Sequence, residues 1–431
     1  MSEIISLFIG QSGNGVCTEF LKLIAEEHGL SENGKYQGDQ GYQLENIQTY
    51  FEEQSSEKYI SRSINIDVNP TPVENLQDSK YFPLLNQKNF IKPDFGNGIS
   101  FAKGYYTHGS EISNDVENVI RKEVEKTNKF QGFQFIHSIA GGTGSGLASL
   151  LTEKVEEEYK KKAVYNYTIF PFTDPNKEKN LLAPYNIVLS LHYLIELSHF
   201  TILLDNDQLD YLSKKKLQIK EPDFNNFNSI ISRCISGVTS SMRFPGKLNC
   251  DLNKICHNLI FFPRLHFVCP SIYPTNWLNS TGDEYFDIEE FTNQFLNSEN
   301  FLVYIDPIKE KYFTIQSIFR GVLPIGSIEE NLYKIQKYKQ IQSPKWMNSN
   351  IINTAYSQIP PTNQNFDVTS LSNTTAILPK FKRLLNNFTN YFKKKMYMKN
   401  FSYDGMEEME FLEAEVNFRD LIEEIQQQKE F

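Results

Sequence analysis

The sequence predicts an α/β fold: a doubly wound, mostly parallel nucleotide-binding sheet, then a smaller α+β domain and C-terminal helices. Three observations carry this. Short β-branched or aromatic runs alternate with segments of helical period through the first half of the chain. Two of those runs end in glycine-rich turns that lead into amphipathic stretches, Gly10-Gln11-Ser12-Gly13-Asn14-Gly15 and Ala140-Gly141-Gly142-Thr143-Gly144-Ser145-Gly146. Helical period then dominates the last fifty residues, after a region of scattered strand candidates. The expected division is 1–205, 206–380 and 381–431.

Ile4–Ile9 is the first strand candidate. After the first glycine turn, Cys17, Phe20, Leu21 and Ile24 fall on one helical face that stops at His28-Gly29. Residues 30–60 are polar and rich in Gly and Glu and read as a long surface loop. Ser63–Val68 alternates like a strand and ends in Asn69-Pro70-Thr71-Pro72. Phe95-Gly96-Asn97-Gly98 is a third glycine loop, followed by a helix from about Ser113 to Asn128 with Val116, Ile120 and Val124 inward.

Phe133–Ile139 is a buried strand by composition, and beyond the second glycine turn Leu147, Leu150, Leu151, Val155 and Tyr159 recur at helical spacing. At such a strand–turn–helix junction the backbone N–H groups are unpaired and the helix dipole is locally positive, which stabilises a phosphate. Thr143 and Ser145 add hydroxyl donors. Alternation continues through Ala163–Phe170, Pro184–Ser198 and Thr201–Leu204. A long helix is expected from Phe224 to Met242, with Phe227, Ile230, Ile231, Cys234 and Val238 buried, broken by Arg243-Phe244-Pro245-Gly246. Later strand candidates are Leu265–Val268, Tyr312–Phe319, Ile351–Tyr356 and Thr374–Leu378, with a loop over 272–288. Lys380–Asn400 is helical with a basic face. Met409, Leu412, Val416 and Ile422 mark the buried stripe of a final acidic helix whose exposed acids suit basic partners.

Composition narrows the function classes. A net charge of −10, with no basic stripe, argues against nucleic acid. No apolar run reaches membrane-spanning length, and Met1–Ser6 is too acidic and short for a signal peptide. The five cysteines have no metal spacing and read as reduced core thiols. Neither G-x-x-x-x-G-K-[ST] nor G-x-G-x-x-G with its ribose acid is present, so the glycine turns belong to neither a P-loop nor a dinucleotide fold.

The turn at 140–146 instead resembles the signature loop of the tubulin family, related to bacterial FtsZ, with Ala140 in place of a leading glycine. The resemblance runs the length of the chain and is to the β branch. It rests on Arg243-Phe244-Pro245-Gly246-Lys247-Leu248-Asn249-Cys250-Asp251-Leu252, on Pro263-Arg264-Leu265-His266-Phe267, and on Asp404-Gly405-Met406-Glu407-Glu408-Met409-Glu410-Phe411. The short span from Ile359-Pro360-Pro361 to Phe381-Lys382-Arg383 also lacks the α-type insertion.

That resemblance implies a GTP or GDP site in which Gln11, Ser138, Gly142, Thr143 and Gly144 face the phosphates, Asn206 and Asn228 bond the guanine, and Phe224, in place of Tyr, stacks on the base. It implies a weak GTPase active only on polymerisation, completed in trans. This chain would offer the subunit beneath it Gly246, Asn249, Asp251 and Lys254, where the lysine replaces the α branch's glutamate and cannot serve as a base. Several positions depart from the family. Asn69 stands for the acid that serves Mg2+, leaving Asp67 as a second weak ligand; Gly15 replaces Gln, Ala183 replaces the ribose-side acid, and Ile99-Ser100 replaces two Asn. The lateral loop Gly282–Asp287 is acidic, and Gln426–Phe431 lacks the glutamate-rich tail. The implied role is a structural microtubule subunit paired with an α-tubulin-like chain in protofilaments. It would sit in the cytoplasm and cytoskeleton, including a cilium or basal body. The alternative is a non-polymerising or end-capping regulator.

Overall fold

The computed structural model describes residues 2–430 except 55–57, 97, 175, 247, 249, 276–287, 308–309, 338–340 and 348–350. Twelve strands form within the described residues: β1 (Glu3–Ile9), β2 (Phe51–Gln54), β3 (Lys58–Ser61), β4 (Ser63–Ile66), β5 (Phe90–Ile91), β6 (Phe130–Ser138), β7 (Ala163–Phe170), β8 (Phe200–Asp205), β9 (Phe267–Tyr273), β10 (Tyr312–Gly321), β11 (Ile352–Ser357) and β12 (Phe366–Thr374). The main helices are α1 (Gly10–Glu27), α2 (His108–Glu125), α3 (Ala148–Glu158), α4 (Ala183–Leu197), α5 (Asn206–Lys215), α6 (Phe224–Arg243), α7 (Leu252–Leu259), α8 (Ile325–Lys337), α9 (Leu378–Lys393) and α10 (Glu408–Glu430).

Ten strands make one sheet in the order β11-β10-β12-β9-β8-β7-β6-β1-β4-β5. From β5 through β9 every pairing is parallel; β12 is antiparallel to both β9 and β10, and β11 is parallel to β10. The mostly parallel doubly wound sheet is therefore as expected. Alternate residues of β1 serve opposite faces: Ile4 and Phe8 join the core under α1 and α6, while Ile5, Leu7 and Ile9 join the one under α2 and α3. A third core joins α4 to α9 and α10 through Tyr185, Phe388, Phe411 and Phe418. All five residues expected inward on α6 are buried.

Four sequence expectations are corrected. Residues 10–15 are not a turn: α1 begins at Gly10 directly after β1, because Gly10 (φ +73°) makes the reversal in one residue. The stretch 30–60 carries the β2–β3 hairpin, anchored by buried Ile47, Tyr50 and Phe51. The fourth late strand is Phe366–Thr374, and Thr375–Ile377 is a 3-10 turn opening α9. That strand was hidden because Ser370, Ser372 and Asn373 are buried polar residues at its centre. On α10 the buried face is Phe411, Ala414, Phe418, Leu421, Ile422 and Ile425; of the expected stripe only Ile422 is inside, and Met409, Leu412 and Val416 point out. Most of the expected 272–288 loop lies outside the described residues.

A buried ionic cluster ties the two halves of the sheet. Glu27, at the end of α1, accepts from Arg243 on α6 (2.7 Å), from Arg320 on β10 (3.0 Å) and from the Ser236 hydroxyl (2.8 Å to each oxygen). Burial alone would raise the Glu27 pKa, but Arg320, Arg243 and Ser236 bring it down to about 2. His28 stacks on Phe244 at 5.0 Å, and both guanidiniums lie over that ring.

Glu27→Ala should lower the unfolding free energy by about 3–5 kcal/mol, since it strands the buried Arg243 guanidinium and leaves Arg320 only its longer pair with Asp367 (3.8 Å), as chemical denaturation would measure. Because the folded pKa of Glu27 is depressed, its contribution is present above the unfolded value of about 4.3 and is lost as pH falls toward about 2. Glu27→Gln should flatten that acid limb of the stability–pH curve.

Candidate functional site

The chain starts in the middle of the sheet, runs outward through β4 and β5, then returns to lay β6, β7 and β8 on the other side of β1. The order of winding thus reverses between β1 and β6. In open α/β sheets the crevice beyond the carboxyl ends of the strands at such a reversal is where ligands bind. Both glycine-rich segments leave the sheet there, one from β1 and one from β6.

The two segments meet backbone to backbone. A Cβ placed on Gly10 would stand 3.4 Å from the Gly144 nitrogen and 3.7 Å from the Thr143 Cβ, and one on Gly13 would stand 2.4 Å from the Ile136 oxygen. A Cβ on Gly144 would strike the Ser138 oxygen at 2.2 Å. The third glycine loop joins them: a Cβ on Gly142 would lie 2.4 Å from the Ser100 oxygen, and one on Gly98 would lie 3.5 Å from the Thr143 hydroxyl. A Cβ on Gly15 would lie 2.9 Å from Asn228 Nδ2, so α1 and α6 converge at the same end.

The expected site residues fall as follows. Gln11 is exposed in the first turn of α1, Ser138 is half-buried at the end of β6, and Gly142, Thr143 and Gly144 are buried. Asn206 is the first residue of α5, immediately beyond the carboxyl end of β8. Phe224 opens α6, 63% exposed, with its ring 6.5 Å from Phe172 and 5.8 Å from Phe227. Asn228 is buried one turn further on. Direct approaches thus link Gly10 to Thr143 and Gly144, Gly144 to Ser138, and Gly15 to Asn228. Asn206 is placed by its strand end.

Polar residues beneath this surface, which the sequence did not single out, hold it. Asn14 donates to the Gly10 oxygen (3.0 Å) and the Ile66 oxygen (3.1 Å), and accepts from Asn65 (2.9 Å). His137 Nδ1 lies 2.6 Å from the Gly144 oxygen; a carbonyl only accepts, so the proton is on Nδ1. Burial holds that imidazole neutral, with its pKa lowered to about 4. Asn186 donates to the oxygens of Ile99 (2.9 Å) and Ala140 (2.8 Å), and Asn180 to Ala140 (2.7 Å). The available signal was the placing of polar amides and an imidazole inside otherwise apolar strand and helix faces.

The third glycine loop is also tied outward. Ser100 donates to Asp404 (3.1 Å), and Tyr106 donates to Glu410 in the first turn of α10. Ile99 is 54% exposed beside it, and Ala183 is buried at the start of α4.

Beyond β4, burial pushes the Asp67 carboxyl up to about 6, opposed by the N–H groups of Asn69 and Val68. The Asn69 amide oxygen accepts from Thr71 N (3.0 Å), capping the turn Pro70–Glu74. Among the described residues no group of three His, Cys, Asp or Glu side chains is disposed to hold a metal. On the far side, Asp251 caps α7 by accepting from Lys254 N (2.8 Å), Lys254 and Gly246 lie at the surface, and Asn249 is outside the described residues. The Gly282–Asp287 loop is outside them too.

The Tubulin/FtsZ family GTPase domain matches residues 3–214, and the tubulin C-terminal domain matches residues 263–386. The chain is 36% identical over 430 residues to the tubulin beta chain of Enteroctopus dofleini, covering 100% of this chain and 96% of that one. It is 38% identical over 427 residues to the tubulin beta-6 chain of Gallus gallus, covering 99% and 95%.

Close backbone packing makes the glycines unequal. Gly142→Ala and Gly144→Ala should each destabilise by about 1–3 kcal/mol, since the new methyl meets a carbonyl that cannot move alone. Gly141→Ala, whose Cβ would meet nothing within 4 Å, should stay within about 0.5 kcal/mol. Thermal unfolding of the three variants checks the contrast.

Proposed function

Because this chain belongs to the tubulin family, we propose that it is a β-tubulin-like subunit that binds GTP or GDP at the carboxyl edge of its sheet. The observation that carries the reading is the meeting of Gly10, Thr143, Gly144 and Ser138 at the reversal of strand order, with Asn228 one helix away. Glycine backbone and unpaired N–H groups at the starts of α1 and the 143–147 turn suit phosphates. Asn206 and Asn228 suit guanine, because an amide offers both a donor and an acceptor. Phe224 supplies an exposed ring for the base, with no hydroxyl to bond the nucleotide. We assign residues 1–205 to this GTP domain, 206–380 to the core helix and intermediate domain, and 381–431 to the outer helices.

The subunit pairs with an α-tubulin-like chain and stacks longitudinally in a microtubule, a cytoskeletal role. The surface offered to the subunit beneath includes Gly246, Asn249, Asp251 and Lys254. A lysine there lacks the carboxylate needed to orient water, so this chain does not complete hydrolysis in its neighbour. Its own GTP turns over only when an α-like subunit packs above it.

Mg2+ is held weakly. The Asn69 amide oxygen is engaged as a helix cap, and the Asp67 carboxyl is buried and accepts from Asn69 N (3.1 Å), which leaves a poor set of ligands for a hard cation. That observation favours a second reading, a lattice-end regulator with little turnover. Electron microscopy of polymers containing tagged chain separates the two: label along protofilaments supports the subunit, and label at ends alone supports the regulator.

Acid extraction of the complex purified with its α-like partner should release close to one guanine nucleotide per chain of this type, beyond that carried by the partner. A folded complex without it refutes the reading. Asn228→Ala should weaken GTP binding by at least about tenfold, the loss of a buried hydrogen-bonded contact, as filter binding would measure.

A further inference from the structure

Asn206 is placed by a strand end, and what holds that strand end comes from 175 residues further along the chain. β8 closes at Asp205, and α5 opens at Asn206. The buried Asp205 carboxylate caps α5 by accepting from Asp207 N (3.4 Å), and it accepts from Tyr304 N (3.4 Å). Both contacts are longer than an ordinary N–H···O bond. The third donor is the Lys380 ammonium, which reaches Asp205 Oδ2 from the first turn of α9 and lies 5.0 Å from the centre of the Phe170 ring, at the end of β7. The two side chains of this ion pair are 9% and 1% exposed.

A buried ammonium is costly to desolvate, and an apolar pair of the same volume would hold α9 to the sheet as well or better. Stability alone therefore does not account for Lys380. What the pair supplies is direction: a charge-assisted bond fixes the carboxylate at the residue before Asn206, where the two N–H contacts are long. The first turn of α5 is also held on its outer side, where Asp207 accepts from Thr173 N (2.8 Å) and from the Thr173 hydroxyl (2.6 Å). Asn206 is thus clamped between two anchored neighbours, one tied to the loop after β7 and one to α9.

We propose that Lys380 is a positioning residue for the purine base: by holding Asp205 it sets the start of α5, and with it the direction of the Asn206 amide. The proposal rests on the nucleotide reading above and deepens it. Asp205 and Asn206 belong to the segment matched by the GTPase domain, whereas Lys380 belongs to the segment matched by the C-terminal domain. Base selection is therefore governed in part from outside the nucleotide-binding domain. The phosphate end is built separately, from Gly10, Thr143 and Gly144 on the turns after β1 and β6, and should not respond to Lys380.

The test uses the full chain with its α-like partner. The complex is photolabelled with radioactive azido-GTP, the chains are separated on a denaturing gel, and the label on this chain is competed with GTP, ATP and inorganic tripolyphosphate. Lys380→Met keeps an unbranched apolar stem. It should raise the GTP needed for half-displacement about three- to tenfold, the worth of one hydrogen bond. The preference for GTP over ATP should narrow by a similar factor, with tripolyphosphate unchanged. Because Lys380→Met leaves a buried carboxylate without its cation and can unfold the chain, Asp205→Asn/Lys380→Met is the second variant. It removes both charges, keeps a capping side chain and should show the same loss of GTP preference. GTP and ATP displacement unchanged in the double variant, or a loss shared equally by tripolyphosphate, overturns the proposal, since the pair is then structural only. No displaceable label on the unaltered chain refutes the nucleotide reading itself, and this proposal with it.

Discussion

The carboxyl edge of the sheet depends on backbone meeting backbone without intervening side chains. Where the first turn of α1 and the 140–146 turn close on the end of β6, there is no room for another carbon: Gly144 faces the Ser138 carbonyl, and Gly13 faces that of Ile136. This closeness brings two helix starts, with their unpaired N–H groups, to one crevice between β1 and β6. Glycine is required by contact at positions 13 and 144, and at position 10 by a positive φ. The amide of Asn14, itself held by Asn65, and the imidazole of His137 then satisfy the carbonyls that such a crossing leaves buried.

From that crevice, α6 runs through the middle of the molecule. Asn228 lies at its site end and Arg243 at the other, some 15 residues or roughly 22 Å along the axis. At the far end Arg243 shares Glu27 with Arg320, so α1 and α6 are joined both beside the crevice and beneath it. The same helix pair therefore carries the candidate site and the buried ionic cluster. Displacing α6 would have to open Gly15 from Asn228 or pull the Arg243 guanidinium from Glu27 on α1.

Much of this was legible in the sequence because the parallel strands are buried on both faces and read as continuous apolar runs. The helical stripe of α6 was legible for a different reason: its apolar residues recur at helical spacing on one face. Where two solutions satisfy the periodicity, the sequence could not choose. In α10 both Met409-Leu412-Val416 and Phe411-Ala414-Phe418 repeat at helical spacing, and contact with α4 and α9 selects the second. The strand Phe366–Thr374 was not legible because Ser370, Ser372 and Asn373 interrupt its apolar pattern; Ser370 meets Ser317 (3.4 Å) and Asn373 bonds the oxygens of Leu259 and Leu265, partners more than fifty residues away in sequence. The Glu27 cluster was likewise invisible, being assembled from three elements far apart in the chain. Within the candidate site the glycine turns were legible as motifs, whereas Asn14, Asn65, Asn180, Asn186 and His137 became evident only once the strands set them beside the turns.

Hydrogen–deuterium exchange of the purified complex, with and without added GTP, tests the central claim most directly, because it reads the backbone amides that the ligand would engage. Added protection is expected in the segments around Gly10–Asn14 and Ala140–Ser145, and at the starts of α5 and α6 around Asn206 and Asn228. Protection confined to other segments, or none at saturating GTP, would contradict it.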